Sequence, residues 1–365
     1  MKYQNYSIIL LLLAVFLAFP TLAQEEGSEE GPDDDFDFSS LVPAEAVKAF
    51  CSSRILNGGP QNLVSFGYDI QGPYNMEVGS LPGNEVQNFQ IGGVNREVNR
   101  TSEFRIDIQY PVISKNNITV ALQANYLRTF YSFENAGTIG EHPFVQTLNE
   151  NGLTSTSFST VIFKPLNLKN FMIFQGGFTL NGDYTFADMQ DLSYTRWFGA
   201  AIYGWKPNDR KMWGLGVSRT YLGGALNYLP VFYYQYSSVN GKWGIDMLLP
   251  SRLNIKRYFN KQTILSVGHN FQGNTYRLNE LAQIGDGQPI NPELRRSELR
   301  FRAILDRAIT RTLWFSVQAG LRYNWEFSVD DGDFFRSLFA EDPFLFENDL
   351  GNPLFAQFSI SWVSP

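Results

Sequence analysis

Two histidines, one cysteine and a scatter of charged residues are the groups in this 365-residue chain with chemistry to offer. A hydrolase needs a histidine as general base beside a nucleophile or water, with a carboxylate or amide to orient it. His142 lies in a long loop just before Pro143, while His269 shares an every-second-residue face with Leu265, Val267 and Phe271. That face is apolar, and no serine or acid stands at a useful offset within its strand, so hydrolysis is disfavoured. No His/Cys cluster has metal-ligand spacing, no glycine-rich loop leads from a strand into a helix to cradle phosphate, and no nucleophile elbow occurs. No cofactor and no metal are therefore expected. Cys51 is a single thiol without a partner for an internal disulfide and reads as incidental.

The acids are unevenly spread. Eight of them (Glu25, Glu26, Glu29, Glu30, Asp33, Asp34, Asp35, Asp37) stand between Glu25 and Asp37 without one base. A calcium loop needs oxygen ligands at fixed offsets and a glycine at its turn, so Asp33–Asp37 is a weak fit, and a solvated flexible segment is the plainer reading. The chain has 36 acids and 29 bases; setting aside those eight and Lys2 leaves 28 of each. A body with no net charge offers no footprint for nucleic acid.

The informative charges alternate with apolar residues. Glu103, Arg105 and Asp107 interleave with Phe104, Ile106 and Ile108; Glu298, Arg300, Arg302 and Asp306 occupy one parity of 295–308; Arg322 and Glu326 occupy one parity of 311–329. Period two is the mark of a strand with unlike faces. If the apolar parity faces hydrocarbon, these nine charges face a lumen, since an Arg or Lys on the lipid side costs about 2–4 kcal/mol near the midplane. There they either line a wet pore with a mixed-sign wall or pair with one another and close it. The charges alone leave both readings open.

The elements that must position them are long strands. In 311–329 the residues Leu313, Phe315, Val317, Ala319, Leu321, Tyr323, Trp325 and Phe327 are all apolar and those between are mostly polar or small. This alternation far outlasts the ~9–11 residues a tilted strand needs to cross a bilayer. Its aromatic end, Tyr323, Trp325 and Phe327, is placed where an interfacial girdle would lie. Similar runs recur about fourteen times from Asn62 to Trp362, within a range of twelve to sixteen. Short connections such as 165–169, 207–210 and 308–310 alternate with long ones such as 71–100, 134–152 and 330–353. Short periplasmic turns and long extracellular loops are the habit of outer-membrane barrels. Mean hydropathy is only −0.20, as expected when half of every strand meets water. The expected fold is an all-β, antiparallel transmembrane β-barrel.

Residues 1–23 read as a cleaved signal peptide, with Lys2, the apolar run Ile8–Phe19 and small residues before Gln24. Residues 24–60 read as an acidic flexible periplasmic segment with room for a short helix over Pro43–Phe50, and 61–365 as the barrel. Strands 195–206 and 211–221 are apolar on both faces, which suggests interior packing by loops or by the N-terminal segment, or else a path for greasy solutes. The last long loop, with Asp330, Asp331, Phe334, Phe335, Phe344 and Phe346, is expected to cap the mouth.

The segment Leu248-Leu249-Pro250-Ser251-Arg252-Leu253-Asn254-Ile255 before Arg257-Tyr258 completes this pattern. With the signal, the acidic lead and the barrel strands, it resembles a family of uncharacterised outer-membrane β-barrels of Gram-negative bacteria over about 60–365. The resemblance implies a single-chain barrel without an assigned activity. The C-terminus departs from the usual barrel ending, because Val363, Ser364 and Pro365 follow Trp362. Expected partners are outer-membrane lipid, the barrel-assembly machinery and a small solute. The leading functional expectation is a passive channel or uptake protein, hydrophobic solutes included. The alternative is a structural or adhesion barrel whose salt-bridged, plugged lumen conducts nothing.

Overall fold

The computed structural model describes residues 50–80, 92–134, 142–185, 194–222, 224, 226–282, 292–332 and 344–364. The signal segment, the acidic run, most of the Pro43–Phe50 helix and the part of the last loop from Asp333 to Pro343 lie outside the described residues.

Seventeen strands follow in chain order. The first six are β1 (Gln61–Gln71), β2 (Tyr74–Val78), β3 (Val94–Lys115), β4 (Ile118–Phe133), β5 (Leu153–Pro165) and β6 (Asn170–Gly182). Then come β7 (Thr195–Asn208), β8 (Lys211–Thr220), β9 (Asn227–Ser237), β10 (Trp243–Leu249), β11 (Arg252–Asn260) and β12 (Thr263–Arg277). The last are β13 (Pro292–Ala308), β14 (Leu313–Asp331), β15 (Phe344–Phe346), β16 (Asn348–Leu350) and β17 (Leu354–Ser364). Fourteen of them close a ring: β1, β3 to β14, and β17, each antiparallel to its neighbours, with β17 paired back onto β1. The three short strands extend the wall above one mouth, β2 on β3, β16 on β2 and β15 on β14.

Alternation explains the ring. The outward parity leaves Phe66, Tyr68, Phe104, Leu122, Phe301, Leu321, Phe358 and Ile360 exposed. A continuous apolar belt of this kind fits hydrocarbon and would be a liability in water. The cross-strand partners of those residues share their side, so the same register turns Asp69, Glu103, Arg300 and Arg322 inward.

One expectation fails at the top of β14. Ser297 pairs with Glu326 and Glu298 with Asn324, which leaves Trp325 unpaired as a bulge. One extra residue reverses the parity beyond it. Phe327, expected outside with Tyr323 and Trp325, lies opposite Arg296 and is buried inside the mouth. Glu326, expected in the lumen, moves to the outer parity opposite Ser297.

Among the described residues two helices lie on the extracellular side, α1 (Pro143–Glu150) and the single turn α2 (Asn279–Ala282). The sequence pattern places His142 in a long loop just before Pro143. Instead its Nδ1 accepts the amide hydrogen of Phe144 at 3.2 Å and caps α1, with Pro143 in the first turn where its missing N–H costs nothing. Phe144, Val145 and Leu148 make up the buried face of α1.

A candidate site in the barrel lumen

The interior is layered, and the top layer is apolar. Tyr74, Met76, Val98, Tyr131, Phe144, Leu148, Leu153, Leu294, Phe327 and Phe346 form one buried cluster that roofs the extracellular mouth. Phe144 meets Phe327 and Phe346 edge-on, at centroid separations of 6.0 and 5.4 Å.

Directly beneath lies a belt of buried charge built by β1, β3, β13 and β14. Arg300 reaches Asp69 at 3.1 Å, Glu103 at 2.7 Å and Glu298 at 2.5 Å. Arg296 bonds Glu103 at 2.5 Å, Glu298 at 3.1 Å and the Thr129 hydroxyl at 3.0 Å. Arg322 pairs with Glu298 and donates to the Gln71 carbonyl. Arg300 and Arg322 are direct cross-strand neighbours, a repulsive placement that the Glu298 carboxylate between them offsets. Three guanidinium groups face three carboxylates, so the belt carries no net charge. Its side chains are almost wholly dry, with Arg300 2% and Arg322 1% exposed. Beside Arg296, Glu298 and Tyr276 lies a cavity of about 10 Å³, room for one water.

Below the belt the same parities stay wet. Arg105 sits 3.9 Å from Glu103 and keeps 20% of its side chain exposed. Asn125, although it faces the lumen, is exposed and donates to Asp107 at 2.7 Å. Arg302 donates to the Gln318 carbonyl at 3.1 Å, and the Ser316 hydroxyl donates to Asp306. Arg252 and Lys256 approach Asp246 at 3.7 and 3.6 Å. Gln109, Gln123, Ser159 and Gln175 continue this polar wall across β3 to β6.

The periplasmic mouth is crossed by the chain before β1. The Cys51 amide donates to the Asn167 carbonyl at 3.0 Å and the Leu56 amide to the Asp209 carbonyl at 2.7 Å. Cys51 and Ile55 pack with Phe163, Phe171, Ile202, Met212 and Tyr233, which uses the apolar inner face of β7 and β8 as interior packing. Burial pushes the Cys51 thiol up from its ordinary value, against the pull of the Lys206 charge. Lys206, 3% exposed, donates to the Ser52 carbonyl at 3.1 Å, the Ser52 hydroxyl at 2.6 Å and the Arg54 carbonyl at 2.6 Å. This strap leaves cavities of about 710 and 650 Å³ on its two flanks, one lined by Asn57, Pro60 and Tyr258, the other by Ser52, Lys115 and Phe163.

Of the residues picked out by alternation, Glu103, Glu298, Arg300 and Arg322 come together in the belt. Arg105, Asp107, Arg302 and Asp306 lie below it, and Glu326 lies apart. Asp69, Gln71, Thr129 and Arg296 were not picked out, although Arg296 shares the parity of Glu298 and Asp69 that of Ser65. His269 contacts the outward Phe301 ring at 6.5 Å, and His142 is consumed as a helix cap.

Residues 94–362 match a family described as Domain of unknown function (DUF6268). The chain belongs to that family. No curated protein matches. Among solved structures, an outer membrane channel from Pseudomonas putida F1 aligns with TM-score 0.36 and 10% identity over 84% of this chain and 96% of that one. The toluene transporter TodX of Pseudomonas putida gives TM-score 0.32 and 10% identity over 85% and 92%. The outer membrane protease OmpT of Escherichia coli gives 0.28 and 6% over 84% and 97%.

Proposed function

We propose that this chain is an outer-membrane channel for small polar solutes, held shut at its extracellular end by the apolar roof and the charged belt. The observation that carries the reading is the wet polar chamber below the belt. Arg105, Asn125, Arg252 and Lys256 keep solvent exposure there, and the periplasmic mouth holds two cavities beside the strap, so one seal separates the chamber from the outside. Polar walls favour polar solutes over the hydrophobic ones also considered. Export through a signal peptide, lipid around the apolar band and insertion by the barrel-assembly machinery belong to the same reading.

The test is conductance of the refolded mature protein in a planar bilayer. Wild type is expected to stay mostly closed, and Arg300→Met, which unbalances the belt, to show steady steps. A folded Arg300→Met barrel that is silent, and silent again after deletion of residues 24–60, would overturn the channel. The roof, with eighteen buried apolar residues, is what favours the second reading, a non-conducting structural or adhesion barrel.

A further inference from the structure

Arg302 is the odd member of the β13 arginines. Its cross-strand neighbours are glycines on both sides, Gly268 on β12 and Gly320 on β14. A Cβ at either would come within 1.8 Å of the Leu253 carbonyl or 1.9 Å of the Phe301 carbonyl. No side chain can therefore flank the guanidinium there. Its one hydrogen bond goes to Gln318, and its buried Nε has no acceptor.

The surrounding charge makes this stranger. Arg105, Arg300 and Arg252 all act on Arg302 electrostatically, with Asp306 as the opposing charge. Arg300 is saturated by three carboxylates. Arg105 reaches Glu103 only at 3.9 Å, on the Oε2 that Arg300 already bonds at 2.7 Å, while Arg296 takes Oε1 at 2.5 Å. Arg252 holds Asp246 loosely at 3.7 Å and is 40% exposed. The chamber thus draws guanidinium groups with unused donors from β3, β11 and β13, beneath a belt whose own charges cancel. A buried donor without an acceptor is costly, and a guanidinium fork matches the paired oxygens of a carboxylate or phosphate.

We infer that the chamber binds a small oxyanion on Arg302 and Arg105, with Gln318 available for hydroxyl or carbonyl groups of the same solute. The site is a property of the folded barrel and holds whether or not the channel conducts.

The test uses the folded mature protein in detergent, with calorimetric titration of malonate, inorganic phosphate and glycerol at constant ionic strength in chloride. Saturable binding of malonate, phosphate or both is expected, and none of glycerol; the preference between the two anions distinguishes a carboxylate from a phosphate ligand. Arg302→Gln should weaken binding about tenfold or more, the loss of one charge-assisted contact. Arg252→Gln, at the wet edge, should weaken it less. Should Arg302→Gln not fold by heat-dependent gel shift, Arg105→Gln, part-exposed and loosely paired, gives the same reading. Absence of saturable binding by wild type up to about 10 mM, weaker than any useful site, overturns the inference. So does unchanged affinity in the folded variants. A barrel that conducts after Arg300→Met but binds no oxyanion would sink this site alone, and one that binds yet stays silent both in Arg300→Met and after deletion of residues 24–60 would sink the channel alone.

Discussion

The upper and lower halves of the lumen are lined by the same residue types, yet they behave oppositely. Above, Arg296, Arg300 and Arg322 are locked to Asp69, Glu103 and Glu298 in a layer from which water is excluded. Below, Arg105, Arg252 and Lys256 keep 20%, 40% and 24% of their side chains in contact with solvent. What differs is the cover. The roof of Phe144, Phe327 and Phe346 shuts water out of the belt, whereas the strap that packs across the other end leaves cavities on both its flanks. An inward charge becomes part of the structure or part of a lining according to what stands over it, which no strand pattern records.

Removing one arginine from each half tests this most strongly. Arg300→Met leaves three dry carboxylates with two cations, and breaking a buried ion pair costs about 3–5 kcal/mol. Arg252→Met removes a half-exposed partner of Asp246, and exposed pairs are worth about 0–1 kcal/mol. Urea midpoints of the two variants in lipid vesicles measure the gap. If Arg300→Met is no more destabilised than Arg252→Met, the belt is wet and the contrast between the halves disappears.

A smaller effect is expected at the strap. Lys206 holds it through three bonds, and hydrogen bonds to charged groups contribute about 1.5–3 kcal/mol each at most. Lys206→Met should free the strap while the belt and the barrel stay intact. Cys51 is the single cysteine in the chain and reports this directly through its rate of maleimide labelling. Loss of the Lys206 charge would by itself disfavour the reactive thiolate and slow labelling. Faster labelling in Lys206→Met therefore means release of the strap; an unchanged or slower rate means that the segment is held by its apolar contacts.

The ring of strands was legible because lipid on one side and water on the other impose period two on every wall segment. That constraint also exposed Glu103, Arg105, Glu298, Arg300 and Arg322 as inward. It failed where the wall leaves the membrane. Beyond Trp325 a single bulged residue reversed the parity, and the sequence carries no mark of it, since both Glu326 and Phe327 suit either side. The helix after His142 was hidden for a related reason. Its buried face packs against loops and strand ends far away in the chain, and only the His-Pro start hinted at a cap. The strap has no alternation at all, because it is held by the Cys51 and Leu56 amides, by Lys206 on Ser52 and Arg54, and by the packing of Cys51 and Ile55. Whether charges that share a lumen pair or stay wet depends on register between β1, β3, β13 and β14, which no single strand contains.

The smallest effect separates the roof from the belt through pH. His142 lies outside the barrel wall, and burial pushes its pKa down from the ordinary 6.5, against a weaker opposing influence from the Gly79 backbone. A histidine whose folded pKa is depressed contributes stability that is present above the unfolded value and lost as pH falls through the folded one. Protonation also removes the Nδ1 acceptor that caps α1. Between pH 7.5 and 5 the wild type should lose stability on the order of the ~1 kcal/mol a helix cap is worth. His142→Asn keeps a capping oxygen and does not titrate, so the difference between the two urea midpoints should shrink or reverse as pH falls. Parallel midpoints across that range would mean that the roof does not sense protonation at His142, and the roof would then share the indifference to pH expected of a layer held by apolar contact alone.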